Sequence, residues 1–119
     1  MKDFEVEMTT GIFDCDAYKI VHNARYIEWY EQALYMYWTE KLGADCWENT
    51  RLKIKKIRCR YISALKFNDE FKIITTLSSD KTDDNKYHFK QKIVKLITLQ
   101  TVSISQGIVC INCRKEVQL

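Results

Sequence analysis

A chain of 119 residues, 46% of them hydrophobic, with a formal net charge of +3, has the composition of one ordinary globular domain spanning residues 1–119 and of neither a disordered nor a fibrous protein. The basic excess is too small to announce a nucleic-acid binder, and no stretch approaches the roughly 18 consecutive apolar residues of a membrane span. The charged start, Met1 to Glu7, lacks the apolar run of a signal peptide, so a cytoplasmic protein with its five cysteines as reduced thiols is expected.

Phe4, Val6 and Met8 alternate with charged residues, the period of a strand with one buried face, and Gly11 loosens the chain ahead of Asp14-Cys15-Asp16. From Asn23 to Gly43 the pattern is helical: Asn23 suits an N-cap, Gly43 suits a stop, and no breaker lies between them. Tyr26, Ile27, Tyr30, Ala33, Leu34, Tyr37 and Trp38 recur at three-four spacing, and Arg25, Glu28, Gln32 and Thr39 leave only a narrow polar stripe. Such a helix is predicted to be wrapped over most of its circumference.

Beyond Gly43 the period returns to two. Leu52, Ile54, Ile57, Cys59 and Tyr61 alternate with Lys53, Lys55, Arg58 and Arg60, and the phase slips at Lys55-Lys56 as at a bulge. Phe67 to Glu70 reads as a turn, Phe71 to Leu77 as a strand, Ser79 to Asn85 as a polar hairpin loop, and Tyr87 to Ile93 and Val102 to Ile111 as two further strands. The class is therefore α+β, a long helix packed on a curved antiparallel sheet of about five strands.

The segment from Phe13 to Tyr26, between the first strand and the helix, resembles the active-site segment of the 4-hydroxybenzoyl-CoA thioesterase family. In that family an Asp-x-Asp step leads through Ile-Val into the start of the long helix; the matching residues are Asp14-Cys15-Asp16, Ile20-Val21 and Arg25-Tyr26. A weaker likeness continues through Asn68-Asp69 and Phe89-Lys90-Gln91-Lys92. The resemblance implies a hotdog fold and hydrolysis of an acyl-CoA, with Asp16 as the catalytic carboxylate and a backbone N–H at Asn23 polarising the thioester carbonyl. It also implies Lys86 beside the CoA phosphates and a site between the subunits of a homodimer or homotetramer. Tyr30 and Tyr35 are candidates for lining the acyl pocket, although core packing accounts for most aromatics of this helix. The sequence departs from the family near Lys19, where glycine is common, and at Asn23, which leaves the histidine-assisted form of the mechanism without its imidazole.

The residue types suit the chemistry. A thioester carbonyl needs a nucleophile or a base-activated water, and an aspartate of ordinary pKa ~3.9 is ionised at neutral pH, so Asp16 can serve as either. Negative charge then develops on the carbonyl oxygen, where a helix N-terminus offers unpaired N–H groups. The competing role for Asp16 is to cap a turn, the usual work of a lone loop aspartate. Asp14 is weighted toward structure, because two adjacent carboxylates repel unless one is paired. His22 is assigned no catalytic role.

Cys110 and Cys113 have the spacing of zinc and redox motifs, but no second knuckle accompanies them and they fall at a strand end rather than a helix start. Neither metal nor cofactor is expected. The basic run Arg51 to Arg60 alternates like a solvated strand face rather than a nucleic-acid patch, and no glycine-rich phosphate cradle is present. The rivals to hydrolysis are a hotdog protein that binds an acyl thioester without turning it over and, further off, a hydratase or dehydratase of the same fold.

Overall fold

The computed structural model describes residues 3–113, and Met1, Lys2 and the stretch 114–119 lie outside it, as do the side chains of Asn112 and Cys113. Strand β1 (Phe4–Thr9) leads through a 3-10 turn (Ile12–Asp14) and a tight loop into helix α1 (Asn23–Leu42). A second 3-10 turn (Ala44–Glu48) precedes β2 (Thr50–Tyr61), β3 (Glu70–Ser79), β4 (Lys86–Lys95) and β5 (Thr101–Cys113). All pairings are antiparallel, in the order β1-β3-β4-β5-β2. One long helix against a five-stranded antiparallel sheet is the hotdog architecture.

Alternation places the inner-face residues as expected: Phe71, Ile73 and Leu77 of β3, Phe89 and Ile93 of β4, and Val102 and Val109 of β5 are all buried. Against them α1 buries Tyr26, Trp29, Tyr30, Ala33, Leu34 and Trp38, which lie on one stripe of its surface. The helix is therefore not wrapped over most of its circumference. Its other side is open in this chain: Ile27, Tyr35 and Met36 are each more than a third exposed.

Two polar ties fix how α1 sits on the sheet. The buried Tyr30 hydroxyl donates to Ser103 Oγ at 2.8 Å, and Gln91 Nε2 donates to the Tyr30 carbonyl at 2.9 Å and to Thr75 Oγ1 at 3.0 Å. A buried polar group without a partner costs ~1–3 kcal/mol, so these bonds specify one seating of the helix rather than many. Gly43 ends the helix at φ +94°, a conformation that glycine adopts without a Cβ clash. Ala44–Glu48, which has no periodic signature, then folds Trp47 back so that its ring lies 4.8 Å from Tyr35 and its Nε1 donates to Thr39 Oγ1 at 2.8 Å.

The bulge expected at Lys55-Lys56 is present, as a register shift between Ile54 and Lys56 against β5. It brings the Lys56 carbonyl toward Gly107, where a Cβ would lie 2.0 Å from that oxygen and 2.7 Å from the Phe89 ring. Gly107 is thus required by close approach of backbone and ring, not by its own φ. Gly107→Ala is expected to destabilise the protein by ~1–3 kcal/mol, read from the urea midpoint at unchanged m-value.

Candidate active site

The loop joining β1 to α1 is built as a small antiparallel turn. Cys15 bridges Val21, the Asp16 N–H donates to Ile20 O at 2.9 Å, and the Lys19 N–H donates to Asp16 O at 2.9 Å. Asp16 Oδ1 accepts from the Tyr18 N–H at 2.8 Å and the Ile20 N–H at 3.2 Å, the pattern of an aspartate organising its own turn. Its Oδ2 makes no hydrogen bond among the described residues, and the residue is exposed. One carboxylate oxygen therefore holds the turn, and the other is free for a ligand or a water.

Lys19 occupies the left-handed region at φ +63°, a conformation that glycine adopts more readily than a residue with a Cβ. The strain is held because both faces of the turn are pinned: Phe67 N–H donates to Lys19 O at 3.0 Å, and Ile20 bridges Lys66.

Asp14 is a structural anchor. Its Oδ2 accepts the Gly11 N–H at 2.8 Å, and its Oδ1 lies 3.3 Å from Arg25 Nε. Arg25 also reaches Glu28 at 2.8 Å and the Phe13 carbonyl at 3.3 Å, so it fastens the turn to the first helical residues. Sequence reading grouped Arg25 with the motif but missed this task; an arginine three residues before a glutamate, with an aspartate close upstream, was the available signal.

The helix start differs by one residue from expectation. His22, with φ −62° and ψ 137°, is the N-cap and makes no side-chain cap bond, and Asn23 is the first helical residue. With Asn23 inside the helix and the cap side chain disengaged, the Asn23 and Ala24 N–H groups have no partner among the described residues and sit at the positive end of the helix dipole, while the Arg25 N–H donates to the His22 carbonyl at 3.0 Å. The Asn23 carbonyl accepts the Tyr61 hydroxyl at 3.3 Å.

A chain of bonds ties this arrangement to the core. The buried Tyr26 hydroxyl accepts the Leu65 N–H at 2.9 Å, and the Leu65 carbonyl accepts the Val21 N–H at 2.9 Å. Burial, the largest influence, pushes the Tyr26 phenol up, so it stays protonated through neutral pH. Burial first, and then the carboxylates of Asp14, Asp16 and Asp69, push the Cys15 thiol up, which removes it as a competing nucleophile.

The surroundings of Asp16 are apolar and uncovered. Phe13 is 88% and Tyr18 85% exposed, and Ile20, Tyr61, Ile62 and Phe67 also carry exposed apolar surface. Phe13, Tyr18 and Ile20 lie between β1 and α1, and Tyr61, Ile62 and Phe67 lie at and beyond the end of β2.

The other expected residues lie elsewhere. Tyr30 is fully buried, and burial raises its phenol further than that of Tyr26, so its ring belongs to the core and offers no ligand-facing surface in this chain. Tyr35 leans on Trp47 on the open side of α1. Lys86 is half-buried at the start of β4, opposite Cys110. The Asp16 turn sits at the other end of the sheet, near Lys66 and Asp69; Lys95, which ends β4, lies 3.9 Å from Asp69. The length of β4 separates the two ends by ~30 Å, so one chain does not bring Lys86 and Asp16 together. Cys110 is buried within β5, and the side chain of Cys113 lies outside the described residues.

Among the helices described, none is long and apolar enough to cross a membrane. A family model described as the thioesterase-like superfamily matches residues 10–118. No curated protein matches the sequence. Among solved structures, a 1,4-dihydroxy-2-naphthoyl-CoA thioesterase from Synechocystis superposes with a TM-score of 0.79 at 12% identity, covering 94% of this chain and 83% of its own. A Staphylococcus aureus protein solved in complex with CoA gives 0.83 at 14% identity over 97% and 73% of the two chains. A probable thioesterase from Bartonella henselae gives 0.77 at 12% over 95% and 92%.

Tyr26→Phe deletes the acceptor for the buried Leu65 N–H. It is expected to cost ~1–3 kcal/mol in chemical denaturation and to speed amide exchange at Val21, which hangs from the same residue.

Proposed function

The chain belongs to the thioesterase-like superfamily, and from that premise we propose that it hydrolyses an acyl-CoA thioester at the Asp16 turn. The carrying observation is the divided carboxylate: Oδ1 engaged by two backbone N–H groups, Oδ2 open, close in sequence to a helix N-terminus where the Asn23 N–H has no partner among the described residues. A carboxylate so held is oriented before substrate arrives, which lowers the entropic cost of reaching the carbonyl. The Asn23 N–H supplies the donor for the oxygen on which charge develops, and the helix dipole adds to it.

Two routes remain chemically complete. As nucleophile, Oδ2 attacks the thioester carbon, CoA thiolate leaves, and water cleaves the resulting anhydride. As general base, Oδ2 takes a proton from water as that water attacks, and the proton then passes to the departing sulfur. Both regenerate the free carboxylate.

The exposed apolar rim of Phe13, Tyr18, Ile62 and Phe67 supports a site completed by a second subunit, a homodimer at the minimum. In that assembly Lys86 serves CoA phosphates only if it belongs to the partner subunit, since the two ends of the sheet stand ~30 Å apart within one chain. Tyr30 then acts from behind the site, seating α1, and does not touch the acyl group. Binding of an acyl thioester without turnover is the second reading, favoured by the double hydrogen bonding that makes Asp16 a turn residue.

Asp16→Asn separates turn-building from chemistry, because the asparagine oxygen still accepts both N–H groups while the charge is lost. Release of free thiol from acyl-CoAs is expected to fall ~10²–10⁴-fold with the unfolding midpoint nearly unchanged. Equal turnover by both proteins would remove Asp16 from the chemistry, and no turnover by wild type on any acyl chain would favour the binding protein. Lys86→Ala is expected to raise KM for acyl-CoA but not for the matching acyl-pantetheine, which lacks the nucleotide.

A further inference from the structure

The outer face of the sheet, away from α1, carries a charge pattern of which the site proposed above uses only Lys86. Strands β4 and β2 flank β5, and their outward residues are cationic in register: Arg60 and Lys92 stand on either side of Ile104, and Arg58 and Lys90 on either side of Gln106. The next two rungs are Lys56, Ile108 and His88, then Lys53, Cys110 and Lys86. Two rows separated by two strand spacings lie ~10 Å apart, and the rungs repeat every ~7 Å, giving a trough ~20 Å long.

Two adjoining open depressions on this face, of about 480 and 490 Å³, share Arg58, Lys90, Thr76 and Gln106 among their lining residues. Among the described residues, Arg58, Arg60, Lys90 and Lys92 form no ion pair. The two cationic rows, held ~10 Å apart by the intervening strand, repel one another, and an anionic occupant relieves that repulsion.

The floor selects the occupant. It presents Ile104, which is 38% exposed, with the half-buried Ile74 and Ile108 beside it, and no Phe, Tyr or Trp points outward from the four cationic rungs. Stacking platforms for nucleic-acid bases are therefore missing. A second copy of the same face fits poorly. Its carboxylates lie at the margins, with Asp3, Glu5 and Glu7 by β1, Glu70 opposite Thr9 and Asp80 beside His88, and Asp3, Glu5 and Asp80 are already bonded to Thr76, Lys72 and His88, so back-to-back packing accumulates positive charge.

We propose that this trough docks an acidic amphipathic α-helix of a partner protein. A helix is ~10–12 Å across with its side chains, and ~13 residues span ~20 Å. Carboxylates at i and i+4 lie ~6 Å apart, close to the rung repeat. The apolar stripe of the helix rests on Ile104, Ile108 and Ile74, and its flanking carboxylates meet Arg58 and Arg60 on one side and Lys90 and Lys92 on the other.

The test is fluorescence anisotropy with a labelled helical peptide of ~15 residues carrying one leucine stripe flanked by glutamates, titrated with the full chain. Binding is expected to weaken at least tenfold when salt rises from ~50 to ~500 mM, and at least tenfold in Arg58→Glu/Lys90→Glu while acyl-CoA turnover is unchanged. If the double reversal fails to fold, Arg58→Gln/Lys90→Gln gives the same comparison with a smaller loss. A scrambled peptide of the same composition is expected to bind at least tenfold more weakly. Equal binding of the scrambled peptide, tighter binding of a 20-nucleotide thymidine strand or of phosphatidylserine vesicles, or indifference to the substitutions would overturn the proposal.

Discussion

The arrangement of the molecule depends on the need to pair two tyrosine hydroxyls that the long helix carries into the core. Tyr30 finds Ser103, and Tyr26 finds the Leu65 N–H, so α1 is fixed both along and around its axis. The second bond matters most for the candidate site. Leu65 passes the constraint through its carbonyl to Val21, Val21 pairs with Cys15, and the next residue is Asp16. A carboxylate on an exposed loop thereby acquires the positional definition of a core residue.

That definition lets a strained turn persist. Lys19 sits in a backbone conformation that costs a non-glycine residue ~1–2 kcal/mol, and the turn stays closed because Asp16, Ile20 and Phe67 all bond across it. Asp14 and Arg25 close the other side, drawing the loop onto the first turn of the helix. The two carboxylates of the Asp-x-Asp step are thus kept apart in function: one is neutralised by Arg25, and the other keeps an oxygen facing outward. Phe13 and Tyr18, on the same loop, leave most of their apolar surface exposed.

How much of this was legible in the sequence follows from the range of each interaction. Period-two alternation located every strand, and its phase slip located the bulge, because both are local consequences of the pleat. The cap was misread by one residue, since asparagine is the better cap by preference while the backbone at His22 takes that place without using its side chain. The wrapping of α1 was overestimated because helical spacing counts apolar residues without knowing how many faces the sheet can cover, and Ile27, Tyr35 and Met36 stay outside. The tie from Tyr26 to Leu65 spans 39 residues, and no periodicity reports it. Asp16 itself was legible through its neighbours, but the division of labour between its two oxygens exists only in three dimensions.

The claim on which the account stands is geometric: the thioester carbonyl lies between Asp16 and the start of α1. A crystal structure with a hydrolysis-resistant acyl-CoA, a methylene ketone in place of the thioester, tests it most directly. The carbonyl oxygen is expected ~2.7–3.1 Å from the Asn23 N–H, with Asp16 Oδ2 facing the carbonyl carbon directly or through one water. A ligand whose carbonyl binds away from the Asp16 turn, with Oδ2 still facing open solvent, would contradict the account.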